Sequence, residues 1–312
     1  MRLRALSHYN GDKNTRFGDC ILLHDSKTLV VYDCGHEDHA NEVKSYLLTN
    51  RTITDVNLVI SHNDSDHTNG CIKLMEHLHK SRHYSVTLYS SLYLKSARKV
   101  LELLDDNRRT LPATKESILK LFDNIKEIIE KAQEYGFEIK DGKKGVEIAS
   151  CCIVGPTEDE FVEVVAKAIE SGSGSKIDGE NVMNAASIQI KVKLDNAETM
   201  LLCGDATPEY LHNLNSYDII HLPHHGKLDS AKEIFEKLRD SHTKTYFISD
   251  NTGSGATSGG SDDLVQYMEK EQYDPAMNTK KREVIYPDFG SGNISKEKKP
   301  GVKLGEMDHW IL

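Results

Sequence analysis

The feature that most constrains this fold is a short apolar segment running directly into four potential metal ligands. Residues 56–61 (VNLVIS) are typical of a buried strand, and His62, Asp64, Asp66 and His67 follow within six positions. In a tight loop at a strand end, side chains at alternate positions can converge on one point. Imidazole suits transition metals, and carboxylates suit harder divalent ions. The alternative is a solvated loop that uses Asn and Asp for turn geometry.

Two later segments repeat this arrangement. One apolar run ends at Gly204-Asp205, and another ends at the sequence PHHG, which contains His224 and His225. A lone Gly-Asp pair would usually be a turn, and a lone His-His pair would usually be exposed. Glycines beside such side chains let the backbone approach closely. Three clusters at strand ends therefore predict one metal site built from distant parts of the chain.

Strand and helix patterns alternate along the chain and predict an α/β (α+β) protein. Hairpin-like apolar runs near the start argue against a purely parallel sheet. Residues 95–136 show helical spacing and predict an inserted helical hairpin, whose second helix covers 114–136. This insertion is interpreted as packing, a lid or a dimerisation element, with packing favoured. Residues 147–154 predict a strand, and 208–214 predict a helix.

The length of the chain, its apolar runs and its cysteine spacing indicate a domain organisation and a cellular location. A chain of 312 residues can bury a full core, and we place one domain at 1–272 and a polar extension at 273–312. No apolar run suits a signal peptide or a membrane helix, so no membrane partner is expected. The six cysteines lack CxxC spacing, and several lie in apolar strands, as reduced cysteines do. We therefore expect a cytoplasmic protein.

The formal net charge of −10 disfavours non-specific wrapping of duplex DNA. A nuclease stays open because bound metal ions make an acidic protein locally positive. Basic clusters at 280–282 and 296–299 are better explained as a solvated tail than as a substrate-binding patch. Aromatic residues make up 7% of the chain, with one Trp, which gives little sign of a platform for stacking single strands.

The order of the motifs resembles the metallo-β-lactamase superfamily. It is most similar to the hydrolase domain of competence-type (ComEC-like) DNA-uptake proteins, whose loop reads HxDxDHxxG before N-x-x-S, GD and PHHG motifs. The matching stretches are Phe17–Cys20, Val31–Gly35, His62–Gly70, Asn184–Ser187, Gly204–Asp205 and Pro223–Gly226. The resemblance spans residues 1 to about 250. It implies a four-layer αββα sandwich with the site at one edge, between two β-sheets.

The resemblance also implies two divalent metal ions, Mn²⁺ or Zn²⁺, as cofactors. The implied ligands are His62, Asp64, Asp66, His67, Asp205 and one of His224 and His225. His62 and Asp64 would hold the first ion, Asp66 and His67 would hold the second with the PHHG histidine, and Asp205 would bridge both.

An aspartate at position 64 replaces the usual second histidine of the superfamily loop. It makes the ligand set more negative and weakens the preference for zinc, so we expect Mn²⁺ to support activity at least as well as Zn²⁺. Asp33 is interpreted either as a group that orders the metal loop or as a turn aspartate before glycine.

Two histidines of related proteins have no counterpart. No histidine occurs between His83 and Asp205, where many superfamily members supply a ligand for the first ion. The ComEC-like branch also carries a late histidine, but residues 249–260 contain none. A proton donor to the leaving group would then be His224, Thr257 or Ser258. The glycines of this segment either contact a phosphate or form a mere connector.

The predicted function is two-metal hydrolysis of a phosphodiester in a nucleic acid or nucleotide. A metal-activated water attacks phosphorus, Asp66 or Asp205 orients it, and His224 protonates the leaving group. A nuclease for single-stranded or short nucleic acid is favoured over a phosphodiesterase for nucleotide messengers. An acyl hydrolase for lactones or thioesters comes third. The rival class is a non-catalytic metal-binding module.

Overall fold

The structure is a computed structural model. It describes residues 1–8, 17–104, 106, 108–171, 176–177, 180–181, 183–251, 260–280 and 282–287, with 176–177 and 180–181 described by their backbone alone. The strands are β1 (Arg2–Ala5), β2 (Ile21–Asp25), β3 (Thr28–Tyr32), β4 (Asp55–Ile60), β5 (Ser85–Ser90), β6 (Glu138–Asp141), β7 (Glu147–Ile148), β8 (Cys151–Gly155), β9 (Lys176–Ile177), β10 (Glu180–Asn181), β11 (Gln189–Lys193), β12 (Thr199–Leu202), β13 (Ile219–His221), β14 (Thr245–Ile248), β15 (Met277–Asn278) and β16 (Val284–Tyr286).

The helices cover both outer surfaces. They are α1 (Glu37–Thr49), α2 (Ser65–Thr68), α3 (Cys71–Ser81), α4 (Ala97–Leu103), α5 (Leu111–Leu121), α6 (Asp123–Glu134), α7 (Glu158–Ser171), α8 (Pro223–Gly226), α9 (Leu228–Lys237) and α10 (Asp262–Lys270). Among the described residues, no helix is long and apolar enough to cross a membrane.

Two seven-stranded sheets form the centre of the part of the protein that the structure describes. The first has the order β16-β1-β2-β3-β4-β5-β6, and the second has the order β15-β14-β13-β12-β11-β8-β7. Strands β3 to β6 are parallel, as are β12 to β15, and the remaining neighbours are antiparallel. The predicted mixture of parallel and antiparallel strands is confirmed.

Alternating side chains divide the interior into three cores. Along β3, Val30 and Tyr32 face the second sheet, whereas Leu29 and Val31 face helices. Along β14, Phe247 faces the first sheet, whereas Tyr246 packs with α9 and α10. Successive side chains of a strand point to opposite faces, so both faces of each sheet are buried. The predicted four-layer αββα sandwich is confirmed.

The predicted helical insertion is a crossover of three helices, α4 to α6, between the parallel strands β5 and β6. Its side chains Ile118, Ile125 and Ile128 are buried in the core that covers the first sheet, which supports the packing interpretation. The single helix predicted over 114–136 is wrong. Phe122, buried and with φ −115° and ψ 42°, separates α5 from α6. The apolar spacing continues because both helices pack against the same core.

Two other predicted elements also differ. Residues 147–154 form a β-hairpin, β7 and β8, because Ala149 takes a positive φ of 52° and reverses the chain. Residues 208–214 do not form an α-helix: they contain the 3₁₀ turn Pro208–Tyr210 and the first residue of a second 3₁₀ turn, Leu214–Ser216.

The region predicted as a polar extension from residue 273 contributes strands to both sheets. β15 pairs with β14, and β16 pairs with β1, where Arg4 Nε donates to Glu283 Oε1 over 2.5 Å. The folded part of the chain therefore continues past residue 272 to at least residue 286. Residues 288–312 lie outside the described residues.

Candidate metal centre

The predicted site residues lie where strands of both sheets end. Parallel strands present their carboxyl ends at the same edge of a sheet, so the loops after β3 and β4 meet there. The loops after β12, β13 and β14 meet at the corresponding edge of the second sheet. The structure therefore brings together three stretches that are far apart in the sequence.

Asp205 lies at the centre of the cluster. Its Oδ2 is 3.7 Å from His62 Nε2, and its Oδ1 is 3.5 Å from His67 Nε2, so each carboxylate oxygen faces a different imidazole. All three side chains are buried. Their ligand atoms lie within 4.8 Å of one another, in a group that could hold a metal ion.

These contacts suit a shared cation better than direct hydrogen bonds. The separations of 3.5 and 3.7 Å exceed the roughly 2.7–3.2 Å of a good N–H···O bond. Two donors that each lie about 2.1 Å from one metal ion at a tetrahedral angle are roughly 3.4 Å apart. His62 Nε2, His67 Nε2 and Asp205 Oδ1 are buried without a hydrogen-bond partner. A cation between Asp205 and each of the two imidazoles would satisfy these atoms.

A second group of potential ligand atoms combines Asp19, His67 and His225. His225 Nδ1 is 3.0 Å from the Ser249 carbonyl oxygen and 3.2 Å from Asp19 Oδ1, so this nitrogen carries the proton. The opposite nitrogen, Nε2, lies 3.2 Å from Asp66 Oδ2. In the neutral ring these contacts keep the proton on Nδ1 and leave Nε2, which faces Asp66, available to a cation.

Asp33 ties the loop after β4, which carries the candidate ligand His67, to the end of β3. Its Oδ1 accepts a hydrogen bond from Ser61 N at 2.7 Å, and its Oδ2 accepts from Ser61 Oγ at 2.7 Å and from His67 Nδ1 at 2.8 Å. Because Nδ1 of His67 donates to Asp33, the neutral ring has its lone pair on Nε2, where a metal ion could bind. Both interpretations of Asp33 hold, since its φ of 61° also makes a left-handed turn.

Asp64 and His224 lie at the rim of the cluster. Asp64 Oδ2 is 3.8 Å from His62 Nε2, and its side chain is 41% exposed. His224 Nδ1 is 3.9 Å from Asp205 Oδ2, and its side chain is 17% exposed. Asp64, Asp66 and His224 all lie outside the two tight groups of ligand atoms, whereas His225 belongs to one of them. His224 therefore fits a ligand position less well than His225.

The cluster strongly favours positive charge. Burial alone would lower the pKa of His67, but the carboxylates of Asp205 and Asp33 outweigh burial and raise it well above its usual value. Burial alone would raise the pKa of Asp205, but the neighbouring imidazoles hold it well below. The pKa of Asp66 is likewise lowered, because its hydrogen bond to His225 and the nearby imidazoles outweigh burial. The carboxylates therefore stay ionised.

Two glycines fix the backbone of Asp66. Asp19 N donates to the Asp66 carbonyl oxygen at 2.9 Å, and Gly18 and Gly35 lie against the same oxygen. A methyl group on Gly18 or Gly35 would lie 1.7 or 1.8 Å from that oxygen, so no side chain fits at either position. The early motifs around Gly18 and Gly35 thus shape the loop that carries Asp66.

Sequence reasoning missed Asp19 as a functional residue. It is fully buried, accepts a hydrogen bond from Ser249 Oγ at 2.7 Å and lies beside His225. The available signal was the Gly18-Asp19 pair, which repeats the Gly204-Asp205 pattern. The alternative proton donors Thr257 and Ser258, and most of the 249–260 segment, lie outside the described residues.

Comparisons with known proteins give similarity at the level of structure. Neither a family model nor a curated protein matches the sequence. The metallo-β-lactamase fold protein YhfI from Bacillus subtilis is 11% identical, with a TM-score of 0.47 over 89% of this chain and 95% of that one. A putative metallo-β-lactamase from Thermotoga maritima is 13% identical, with a TM-score of 0.32 over 65% of this chain and 76% of that one.

A third structure, a Cronobacter sakazakii metallo-β-lactamase described by its HARLDQ motif, is 13% identical, with a TM-score of 0.29 over 62% of this chain and 59% of that one. All three TM-scores are below 0.5. The αββα architecture therefore rests on the strand order and layers of this chain itself.

Proposed function

We propose that this chain is a metal-dependent hydrolase that cleaves phosphodiesters with a pair of divalent cations. The observation that carries the proposal is the position of Asp205, whose two oxygens face separate histidines with unsatisfied Nε2 atoms. His62, Asp64 and Asp205 would hold the first ion. Asp66, His67 and His225 would hold the second, with Asp205 between the two.

The residues of the chain prepare this site for chemistry at phosphorus. Bound cations would lower the pKa of water and neutralise charge that develops on phosphate oxygens. Asp33 and Asp19 fix the tautomers of His67 and His225, so their ligand nitrogens need no reorganisation. The carboxylate-rich donor set favours Mn²⁺ over softer ions and supports the phosphodiester assignment.

His224 is proposed as the proton donor to the leaving group. It lies at the rim, near Asp205, and His225 fits the ligand position better. A positioned general acid typically contributes a factor of about 10² to 10⁴ in rate. A nuclease for short or single-stranded nucleic acid stays the favoured form of this activity.

The test is a substrate panel with Mn²⁺. It contains a chromogenic phosphodiester, single- and double-stranded DNA, RNA, cyclic nucleotides and a lactone. Asp205→Ala and Asp64→Ala should abolish turnover, whereas Asp159→Ala, at a carboxylate that is 95% exposed, should not change it. Lactone opening without phosphodiester cleavage would establish the acyl hydrolase instead. Wild-type protein that binds metal but turns over no substrate would establish the binding module.

A further inference from the structure

One residue between two proposed ligands is tied to the helical crossover. Asn63 Nδ2 donates to Asp123 Oδ1 at 2.9 Å, and Asn63 Oδ1 accepts from the backbone N–H of Ile125 at 3.0 Å. The Asn63 carbonyl oxygen accepts from Asn124 Nδ2 at 2.7 Å. Three hydrogen bonds thus join the loop between His62 and Asp64 to the first turn of α6.

The partner of this contact is rigid. Ile125 and Ile128 of α6 are buried in the core that covers the first sheet, so the helix cannot move without disturbing packing. The hydrogen bonds of Asn63 therefore fix the loop between His62 and Asp64 relative to this packed helix.

The first proposed metal position needs such support. It has two ligands of its own, His62 and Asp64, and shares Asp205 with the second position, because no histidine occurs between His83 and Asp205. Asp64 is also the most exposed of the proposed ligands that the ion pairs describe, at 41%. A site with few ligands depends on how firmly they are held before the ion binds.

We infer that Asn63 is a positioning residue. It ties the loop that carries His62 and Asp64 to the helical crossover and so holds these two proposed ligands of the first ion in place. This inference rests on the proposed two-metal function. It predicts that loss of the Asn63 contacts weakens binding of the first ion and leaves the second ion in place, because Asp66, His67 and His225 are held by other contacts.

The experiment measures Mn²⁺ binding to the full chain by calorimetry and by the electron paramagnetic resonance signal of free Mn²⁺. Asn63→Ala should weaken one of two sites by about 10- to 100-fold, the range found when groups that orient ligands are removed. Hydrogen exchange of the Ile125 amide should accelerate in the same variant. Asn41→Ala, at an exposed position of α1, is the matched control and should bind as wild type.

Exchanging the two side chains, Asn63→Asp with Asp123→Asn, tests whether Asn63 positions the loop or whether its loss simply destabilises the protein. Asn63→Asp places a carboxylate beside Asp123, and the loss of the donor and the added repulsion should weaken protection of Ile125. Adding Asp123→Asn restores the net charge. The new amide at position 123 can donate to the carboxylate at position 63, which reverses the direction of the original bond. The Mn²⁺ affinity of the first site in the double variant should return to within about threefold of wild type, because a single hydrogen bond contributes only about 1 kcal/mol.

The outcomes distinguish the inference from the function it rests on. Wild-type protein that binds no Mn²⁺ contradicts the proposed function. If the wild-type protein has two Mn²⁺ sites and Asn63→Ala binds Mn²⁺ with the same two affinities, the positioning role is overturned. If Asn63→Ala does not fold, the double variant decides: failure to recover the first site in a folded protein also overturns it.

Discussion

The contact between Gly35 and the Asp66 carbonyl gives the sharpest prediction. A methyl group on Gly35 would lie 1.8 Å from that oxygen, and real contacts of this kind begin near 3.0 Å. Gly35→Ala therefore forces the two segments apart by about 1.2 Å. Gly35 has no positive φ, so the effect comes from the clash alone.

The consequence for metal binding follows from this shift. Ligand distances in metal sites hold within roughly ±0.2 Å, so a displacement of Asp66 of this size would remove it from the second proposed ion. We expect at least about a 100-fold loss of affinity, at the upper end of what indirect changes produce. Overpacking and loss of the bond from Asp19 N should also lower the free energy of unfolding of the metal-free protein by about 2–4 kcal/mol.

The assay is metal content after dialysis, Mn²⁺ calorimetry and urea unfolding in the presence of a chelator. Gly136→Ala is the control, because Gly136 has a φ of +71° and no atom within 4 Å of an added methyl group. It should lose about 1–2 kcal/mol of stability from the left-handed conformation but keep its metal affinity. A Gly35→Ala protein that binds two ions as wild type does would refute the reasoning.

Three further predictions concern the groups around the proposed ions. Asp33→Asn keeps a residue that tolerates a positive φ but cannot accept all three hydrogen bonds. It should lower the Mn²⁺ affinity of one site by about 10- to 100-fold in calorimetry. Unchanged affinity would show that Asp33 does not orient a ligand. His225→Ala should bind one ion, whereas His224→Ala should bind two and lose about 10²- to 10⁴-fold in kcat; the reverse pattern would exchange their roles. Mn²⁺ at about 100 times Kd should stabilise the wild type by about 2.7 kcal/mol in thermal unfolding, and Asp205→Ala should show no such shift.

Local patterns predicted the alternation of strands and helices and the positions of the candidate ligands, whereas the four layers were implied by the resemblance to a known superfamily. Buried strands are apolar runs in the sequence, and candidate ligands closely follow those runs, as after Ile60 and Leu202. Helices such as α1 and α7 combine an acidic first turn with apolar spacing. These signals need no knowledge of distant contacts.

The missed features depend on contacts that no local pattern encodes. β1, β15 and β16 have two to four residues each and exist because a neighbouring strand accepts them. Phe122 interrupts a continuous helical pattern at a point where its ring lies near that of Phe161, at a centroid distance of 5.9 Å. Asp19 and Asn63 acquire their roles from residues 206 and 62 positions away, at His225 and Ile125.

The pairing of β1 with β16 has a consequence for synthesis of the chain. Arg4 and Glu283 are separated by 279 residues, which ribosomes need roughly 14 to 56 s to add at about 5–20 residues per second. During that interval β1 can pair only with β2, and its other side is an open edge that could recruit another nascent chain. The outward-facing Arg2 and the ion-pairing Arg4 place positive charge on this edge, a common protection against aggregation.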